Sequence, residues 1–414
     1  MNDTVNLRAK ARATIAVCTA IYLLDGLIHT ILGPLAPDIA RSLSLGKAEL
    51  GPIFSSNLIG QCIGLVVFPP IADRIGHRLT IALAVLGFAV GQSASALAEG
   101  GTSLFALRLA TGVFLGGCLP SCLALVTQAT DPARRGLSVL ILFTGYGLGA
   151  AIAGAVAAGF ALYGGWRMSM IAVGAVSFVA AAAAWLALPD GRAESEPALV
   201  HGAFFKLLAS DFRVGTILLW LIFASMLTIS YCLNSWLPIM LVEAGHSESF
   251  AALSITIFGF GGAIAALLVG LLIDRHGAIP VLIGFTAAAA ATLFAIGQML
   301  TTASAPALIA MLSAAGFFSL GAYGGVNVVL ADFYPQGVRA TGIGWAKSVG
   351  RLGTVIAPIL IGFALAAGVA GSFVISLFAI PALVTGVALA AISTTRPWRS
   401  RPATGRRARA APSI

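Results

Sequence analysis

Long apolar runs alternate with short polar breaks along the whole chain. Runs near or above the ~18 residues needed to cross a bilayer occupy positions 14–36, 49–70, 79–97, 102–128, 138–162, 168–188, 213–242, 250–273, 279–299, 305–333, 340–366 and 371–393. No long stretch alternates polar with apolar residues, so a β-barrel is not supported. The pattern predicts an all-α integral membrane protein with twelve transmembrane helices.

The polar breaks repeat. Asp73-Arg74-Ile75-Gly76 and Asp274-Arg275-His276-Gly277 lie 201 residues apart, each between two apolar runs. A second pair, Pro132-Ala133-Arg134-Arg135-Gly136 and Pro335-Gln336-Gly337-Val338-Arg339-Ala340-Thr341-Gly342, is offset by 203 residues. Two pairs at nearly one offset point to a duplicated bundle. The long polar interruption at 189–212 supplies the division. The expected organisation is an N-terminal segment (1–13), a six-helix bundle (14–188), a central loop (189–212), a second six-helix bundle (213–393) and a basic tail (394–414). Parallel-repeat bundles of this kind are a transporter architecture, with a substrate site between the halves.

Composition agrees. Charged residues are 9% of the chain and hydrophobic ones 59%, against about 25% charged in soluble domains. Of the 24 Lys and Arg, 18 fall in the N-terminus, the even-to-odd loops and the tail. Three (Arg41, Lys47, Arg167) fall in the opposite loops, and Arg108, Lys347 and Arg351 lie within spans. The positive-inside rule then predicts cytoplasmic termini in the cell's inner (plasma) membrane. The net charge of +9 reflects topology and anionic lipid, not nucleic-acid binding. The tail's Arg396, Arg399, Arg401, Arg406, Arg407 and Arg409 suit a segment at the headgroups.

Other chemistry is sparse. Cys18, Cys62, Cys118, Cys122 and Cys232 all fall within spans with no histidine or acid to complete a metal set, which favours small buried residues. Arg8, Lys10 and Arg12 precede an apolar run that is long and lacks a cleavage site, so it reads as an uncleaved first helix. Gly145-Tyr146-Gly147-Leu148-Gly149 follows no strand and is not a dinucleotide fingerprint. No GxxxxGK[ST] loop, acid–base pair or nucleophile set is present, so the chain is expected to be neither an ATP-driven pump by itself nor an enzyme. No cofactor is expected.

The loop motif and several helix patterns resemble the major facilitator superfamily and, within it, the aromatic acid:proton symporter family. The superfamily loop motif is matched from Asp73 to Arg78, with His77 in place of an arginine and Pro69 in place of the glycine; the second copy runs from Gly270 to Gly277. At family level the matches are Asp25-Gly26, Arg108-Leu109-Ala110-Thr111-Gly112 through Gly116-Gly117 and Pro120, and Trp236-Leu237-Pro238 with Gly245. The longest match is Tyr334-Pro335 through Arg339-Ala340-Thr341-Gly342-Ile343-Gly344-Trp345-Ala346 to Gly350-Arg351-Leu352-Gly353. Ile28 replaces the second acid of the DGxD signature, Gln128 stands where helix 4 tends to end in an acid, and Lys347 stands where small residues are usual. The resemblance implies a proton-coupled importer of an aromatic carboxylate such as hydroxybenzoate, working by alternating access. Import or export of another organic anion or drug-like compound is the alternative. A ligand-sensing transceptor would need more cytoplasmic chain than the central loop and tail provide.

Four charges fall inside spans away from their ends: Asp25, Arg108, Lys347 and Arg351. Each costs roughly 2.5–3.5 kcal/mol at a helix centre, so each needs a wet cavity or a partner. Asp25 and Arg351 stand about eleven residues into their helices, about 16 Å deep at ~1.5 Å per residue. One reading is a cationic cavity in which Arg351, Lys347 and Arg108 bind an anion, since arginine's planar fork matches a carboxylate. The other is an ion pair of Arg351 or Arg108 with Asp25 that fixes helix packing. A carboxylate in a low-dielectric site holds a proton more tightly and a nearby arginine loosens it, so Asp25 is the expected proton carrier, with the proton as coupling ion. His29, one turn on, is a second candidate for coupling.

Aromatic side chains on spans 1, 7, 10 and 11 offer ring contacts. Tyr323 and Trp345 are expected to touch substrate, and Asn234 to hydrogen-bond a ring hydroxyl. Trp236, near a helix end, fits an interfacial anchor. The loop charges Asp73, Arg74, Arg78, Asp274, Arg275, Asp332 and Arg339 suit a gate of breakable salt bridges or plain topology anchors. The expected partners are a small organic anion and the lipid bilayer, and the expected state is a monomer. The span at 138–162 lacks the Gly-Pro pair of antiporters, which favours import.

Overall fold

The structure, a computed structural model, describes residues 2–131, 134–161, 163–190, 207–208 and 212–395. Most of the central loop and the basic tail from residue 396 onward lie outside them.

The described residues form α1 (Asn2–Thr30), α2 (Leu32–Ser42), α3 (Lys47–Ile75), α4 (His77–Ala94), α5 (Gly101–Gln128), α6 (Arg135–Phe160), α7 (Gly165–Ala187), α8 (Arg213–Glu243), α9 (Glu248–His276), α10 (Ala278–Met299), α11 (Ala305–Phe333), α12 (Gln336–Ala366), α13 (Gly371–Leu377) and α14 (Ala379–Thr394). Twelve segments are long and apolar enough to span a membrane, matching the twelve apolar runs. Large apolar side chains such as Val66, Leu97, Leu186, Leu267 and Val387 are more than 70% exposed, as a lipid-facing surface requires. The chain is a multi-pass membrane protein.

Two expected helices are interrupted, each for the same reason. The run 14–36 turns at Ile31, and a separate helix continues to Ser42. Pro34 has no N–H to give the carbonyl of Thr30, so the ladder breaks there. The run 371–393 divides at Phe378, three residues before Pro381, which leaves the Leu377 carbonyl in the same position. Pro69 and Pro70, in contrast, lie inside α3, which continues to Ile75.

The repeated loop motif is a repeated turn. Gly76 and Gly277 share φ +88°, with ψ of 155° and 153°. Each donates its N–H at 2.8 Å to the carbonyl four residues back, Ala72 and Ile273 respectively. This backbone region is essentially restricted to glycine, which explains the glycine that closes both Asp-Arg-x-Gly copies.

The chain packs as two compact units, Met1–Glu196 with Cys232–Gly259 and Val355–Gly371, and Pro197–Tyr231 with Phe260–Thr354 and Ser372–Ile414. In the first unit α3 and α5 run in parallel at close range. A Cβ on Gly60 or Gly64 would overlap the α5 backbone, and one on Gly112 or Gly116 the α3 backbone. In lipid such small-residue contacts replace the hydrophobic effect as the source of helix association. Gly26, Gly145 and Gly149 join α1 to α6 in the same way.

Cys232–Gly259 and Val355–Gly371 also belong to this first unit. Ser55 Oγ donates to the Val355 carbonyl at 2.6 Å, and Trp236 Nε1 to the Pro358 carbonyl at 3.2 Å. Trp236 is 0% exposed and meets Phe54 edge-on at 5.1 Å, so it is a packing residue and not the interfacial anchor its position suggested. The second unit has its own aromatic core, in which Phe285, Phe317 and Phe318 lie 5.2–5.5 Å apart. Tyr334 is linked to Thr216 by a hydroxyl–hydroxyl bond of 3.0 Å.

Candidate transport site

In the first unit α1 carries Tyr22, Asp25 and His29 at one-turn spacing. Asp25 is 1% exposed and accepts Gln61 Nε2 of α3 at 3.5 Å. Tyr22 packs on Phe143 at 5.5 Å and Tyr146 at 5.3 Å. The His29 ring lies 6.3 Å from Tyr146. The Asp25 carboxyl is thus screened from bulk water and bonded to an amide.

Arg108 is fully buried. Its Nη1 donates to Gln92 Oε1 of α4 at 2.6 Å and its Nη2 to the Ile28 carbonyl of α1 at 2.7 Å. Gln92 is held in turn by Met170 Sδ of α7 at 3.0 Å. One guanidinium thus ties α5 to α4 and to the last turn of α1, beside His29. Ile28, which stands in place of the second acid of the signature, supplies its backbone oxygen here.

Asn234 of α8 is also in this unit, partly buried, with its carbonyl where a Cβ on Gly33 would stand.

The second unit holds Arg351, Lys347, Trp345 and Tyr323. Gly350 and Gly353, on either side of Arg351 in sequence, bring α12 against Phe223 and Thr228 of α8. Lys347, one turn earlier and exposed, is within electrostatic reach of Arg351. Tyr323 of α11 is within electrostatic reach of Arg351 and Tyr231 and meets Phe223 edge-on at 6.1 Å. Trp345 lies 6.2 Å from Trp220. The second unit therefore brings two cations and an aromatic pair together, chemistry that suits an anion with a ring.

The loop charges separate into two groups. Arg78 pairs with Asp190 at 2.9 Å, donates to the Trp185 carbonyl at 2.8 Å and covers the Trp185 ring at 4.8 Å. Arg339 Nε donates to the Tyr334 carbonyl at 3.2 Å, and Asp332 is exposed near the end of α11. Asp73, Arg74, Asp274 and Arg275 are exposed and make no ion pair among the described residues. At the opposite end of the first unit, Arg41 pairs with Glu248 at 2.6 Å and Lys47 with Glu243 at 2.7 Å. Glu248 holds the Arg41 guanidinium more firmly protonated than a free arginine, first by its hydrogen bond and then by its charge, with Asp38 adding to both. A cavity of about 430 Å³ opens beside this latch, lined in part by Asp38, Arg41, Trp166 and Glu248. It lies apart from Asp25.

Sequence reasoning missed Asn57, Gln61, Gln92 and the Arg41–Glu248 and Lys47–Glu243 pairs. Uncharged amides inside apolar spans were the available signal. Among the described residues no group of three or more His, Cys, Asp or Glu is placed to hold a metal ion.

The Major Facilitator Superfamily model matches residues 18–255 and 219–413. A gallate transporter of Pseudomonas putida is 29% identical over 94% of this chain and 93% of its own. A 3-(3-hydroxy-phenyl)propionate transporter of Escherichia coli is 32% identical over 92% and 94%. A 4-hydroxybenzoate transporter of Acinetobacter baylyi is 29% identical over 90% and 89%. Among solved structures, a D-xylose–proton symporter superposes with a TM-score of 0.75 at 17% identity, covering 91% of this chain and 96% of that one.

Proposed function

Because this chain belongs to the major facilitator superfamily, and is therefore a membrane transporter and not an enzyme, we propose that it imports an aromatic carboxylate together with a proton, by alternating access. The observation that carries this reading is the cation pair on α12. Arg351 and Lys347 stand one turn apart on a spanning helix, with Tyr323 within electrostatic reach of Arg351. Such charges are costly in a bilayer unless they serve an anion or a partner. The relatives named above for gallate, 4-hydroxybenzoate and 3-(3-hydroxy-phenyl)propionate support a substrate with a ring, a carboxylate and a hydroxyl.

In this reading Arg351 takes the carboxylate through its planar fork, Lys347 adds a second positive charge, and Tyr323 and Trp345 contact the ring. Asp25, bonded to Gln61, carries the proton, and protonation of Asp25 permits the anion to be held. In this reading the membrane is the cell's inner membrane with both termini cytoplasmic, which the distribution of Lys and Arg supports.

The test is uptake of labelled 4-hydroxybenzoate, gallate and benzoate into proteoliposomes, with and without an inward proton gradient. Gradient-dependent accumulation of one of them is the expected result. Accumulation that ignores the gradient would remove the coupling, and no uptake of any by folded protein would remove the aromatic acid.

A further inference from the structure

Asn57 lies in the middle of α3 and is 2% exposed, yet neither its Oδ1 nor its Nδ2 has a hydrogen-bond partner among the described residues. Arg108 Nε is buried in the same condition, although the two Nη groups of that side chain are satisfied. Buried polar atoms left in this state are rare, because each forfeits its hydration with nothing in exchange.

The backbones that carry these atoms lie at one level. A Cβ on Gly112 would overlap the backbone of Asn57, and one on Gly60 would overlap the carbonyl of Leu109. Because α3 and α5 run in parallel, Asn57 stands level with the turn from Arg108 to Gly112. Arg108 reaches from this turn to the Ile28 carbonyl. Asn57 is one turn from Gln61 on the same face of α3, just as Ile28 is one turn from Asp25. The layer of Asn57, Arg108 and Ile28 therefore stacks on the layer of Gln61 and Asp25.

We propose that Asn57 and Arg108 Nε hold a buried water inside the first unit, and that Asn57 through this water is a positioning residue for proton exchange at Asp25. The chemistry fits a single water. An amide oxygen accepts one of its hydrogens, and an amide N–H and a guanidinium N–H donate to its oxygen. This supplies the two to four polar partners that a buried water needs. The water's second hydrogen is directed to the Gln61–Asp25 layer, giving the proton a hydrogen-bonded approach. No charge is introduced by this arrangement, so it adds little to the insertion cost of α3. The coupling half of the inference rests on the proposed proton-linked transport; the water site does not.

The experiment compares wild type with Asn57→Leu and Asn57→Ser in detergent and in proteoliposomes. Leucine has nearly the shape of asparagine but no polar atoms. If the layer is dry, leucine removes two unpartnered groups and the melting temperature rises. If water fills it, leucine expels the water, strands Arg108 Nε, and lowers the melting temperature, while serine keeps a donor and an acceptor and recovers most of the loss. The lowered value with serine rescue is the expected result, and a rise in Asn57→Leu overturns the water site. In the same variants the pH midpoint of gradient-driven uptake is expected to move by about one unit in Asn57→Leu, the size that one lost hydrogen bond near a charged group produces. It is expected to return in Asn57→Ser. A lowered melting temperature with an unmoved pH midpoint overturns the positioning role. Should Asn57→Leu fail to fold, Asn57→Ala supplies the same two readouts. A wild type that shows no proton-driven uptake of any aromatic acid refutes the transport reading and with it the positioning role, and the melting comparison alone then decides the water.

Discussion

Arg41 and Glu248, 207 residues apart in sequence, meet at 2.6 Å within one compact unit. Lys47 and Glu243 repeat the contact at 2.7 Å. Both pairs join the first third of the chain to the α8–α9 connection, and the backbone contacts Gly33–Asn234 and Gly51–Pro358 lie in the same unit. In the proposed alternating-access cycle, ion pairs of this kind at the ends of spans break and re-form. Pairs with this exposure are each worth about 0.2–1 kcal/mol, weak enough to break and strong enough to bias a population. Reversal of one charge, Glu248→Lys, is expected to shift the conformational equilibrium by a few-fold, and the double reversal with Arg41→Glu to restore it. Cross-linking of a cysteine pair placed at 47 and 243, where the neighbouring pair stands at 2.7 Å, reads the shift. A double reversal as impaired as the single one would show that the pair has no such role.

Arg108 is expected to tolerate no substitution by lysine. Its fork gives separate N–H groups to Gln92 and to the Ile28 carbonyl, and a single ammonium cannot reproduce that geometry. A hydrogen bond to a charged group is worth about 1.5–3 kcal/mol, so Arg108→Lys is expected to lower stability by roughly that amount. Gln92→Leu, which strands the same guanidinium, is expected to do the same. The measurement is the melting temperature of the purified protein. An unchanged value in both variants would mean that Arg108 is not the tie between α1, α4 and α5.

The glycines of α3 and α5 give a graded prediction. Alanine at Gly60 or Gly112 places a methyl group on the facing backbone, and overpacking of this kind costs about 1–3 kcal/mol. Gly147 has nothing within 4 Å of where its Cβ would stand. Gly147→Ala is therefore expected to be neutral or stabilising by up to ~1 kcal/mol, through helix propensity alone. Equal melting temperatures for Gly112→Ala and Gly147→Ala would refute the close packing of these helices.

The spans were legible in the sequence because length and apolarity alone define them. The two Asp-Arg-x-Gly copies end in the same turn, since Gly76 and Gly277 share one backbone conformation. The breaks at Ile31 and Phe378 had a visible signal in Pro34 and Pro381, which a hydrophobicity count passes over because proline does not lower it much. The site was only half legible. Charges stood out against the apolar background, so Asp25, Arg108 and Arg351 were found at once. The partners of Asp25 and Arg108 were not, because Gln61 and Gln92 carry no charge and acquire their meaning only when helices distant in sequence pack together. The Arg41–Glu248 contact had no local signal at all, since each residue alone is an ordinary charge at the end of a span.

The roles assigned to Asp25 and Arg351 make separable predictions. Asp25→Asn cannot release a proton but keeps its shape and its contact with Gln61. It is expected to lose accumulation driven by a proton gradient while retaining exchange of labelled for unlabelled substrate, which moves no net proton. Arg351→Lys keeps the charge but loses the two-point grip on a carboxylate. It is expected to raise the KM about tenfold or more, as the loss of one hydrogen bond in a charged pair implies. The same proteoliposomes read the stoichiometry. One proton carried with one monoanion moves no net charge, so an imposed potential has no effect. A second proton would add about 2.3 kcal/mol per 100 mV, roughly fifty-fold in accumulation. With Asp25 as the sole proton carrier the potential is expected to have no effect. A potential-driven accumulation would bring His29, one turn away and 6.3 Å from the Tyr146 ring, into the coupling step as the second titrating group.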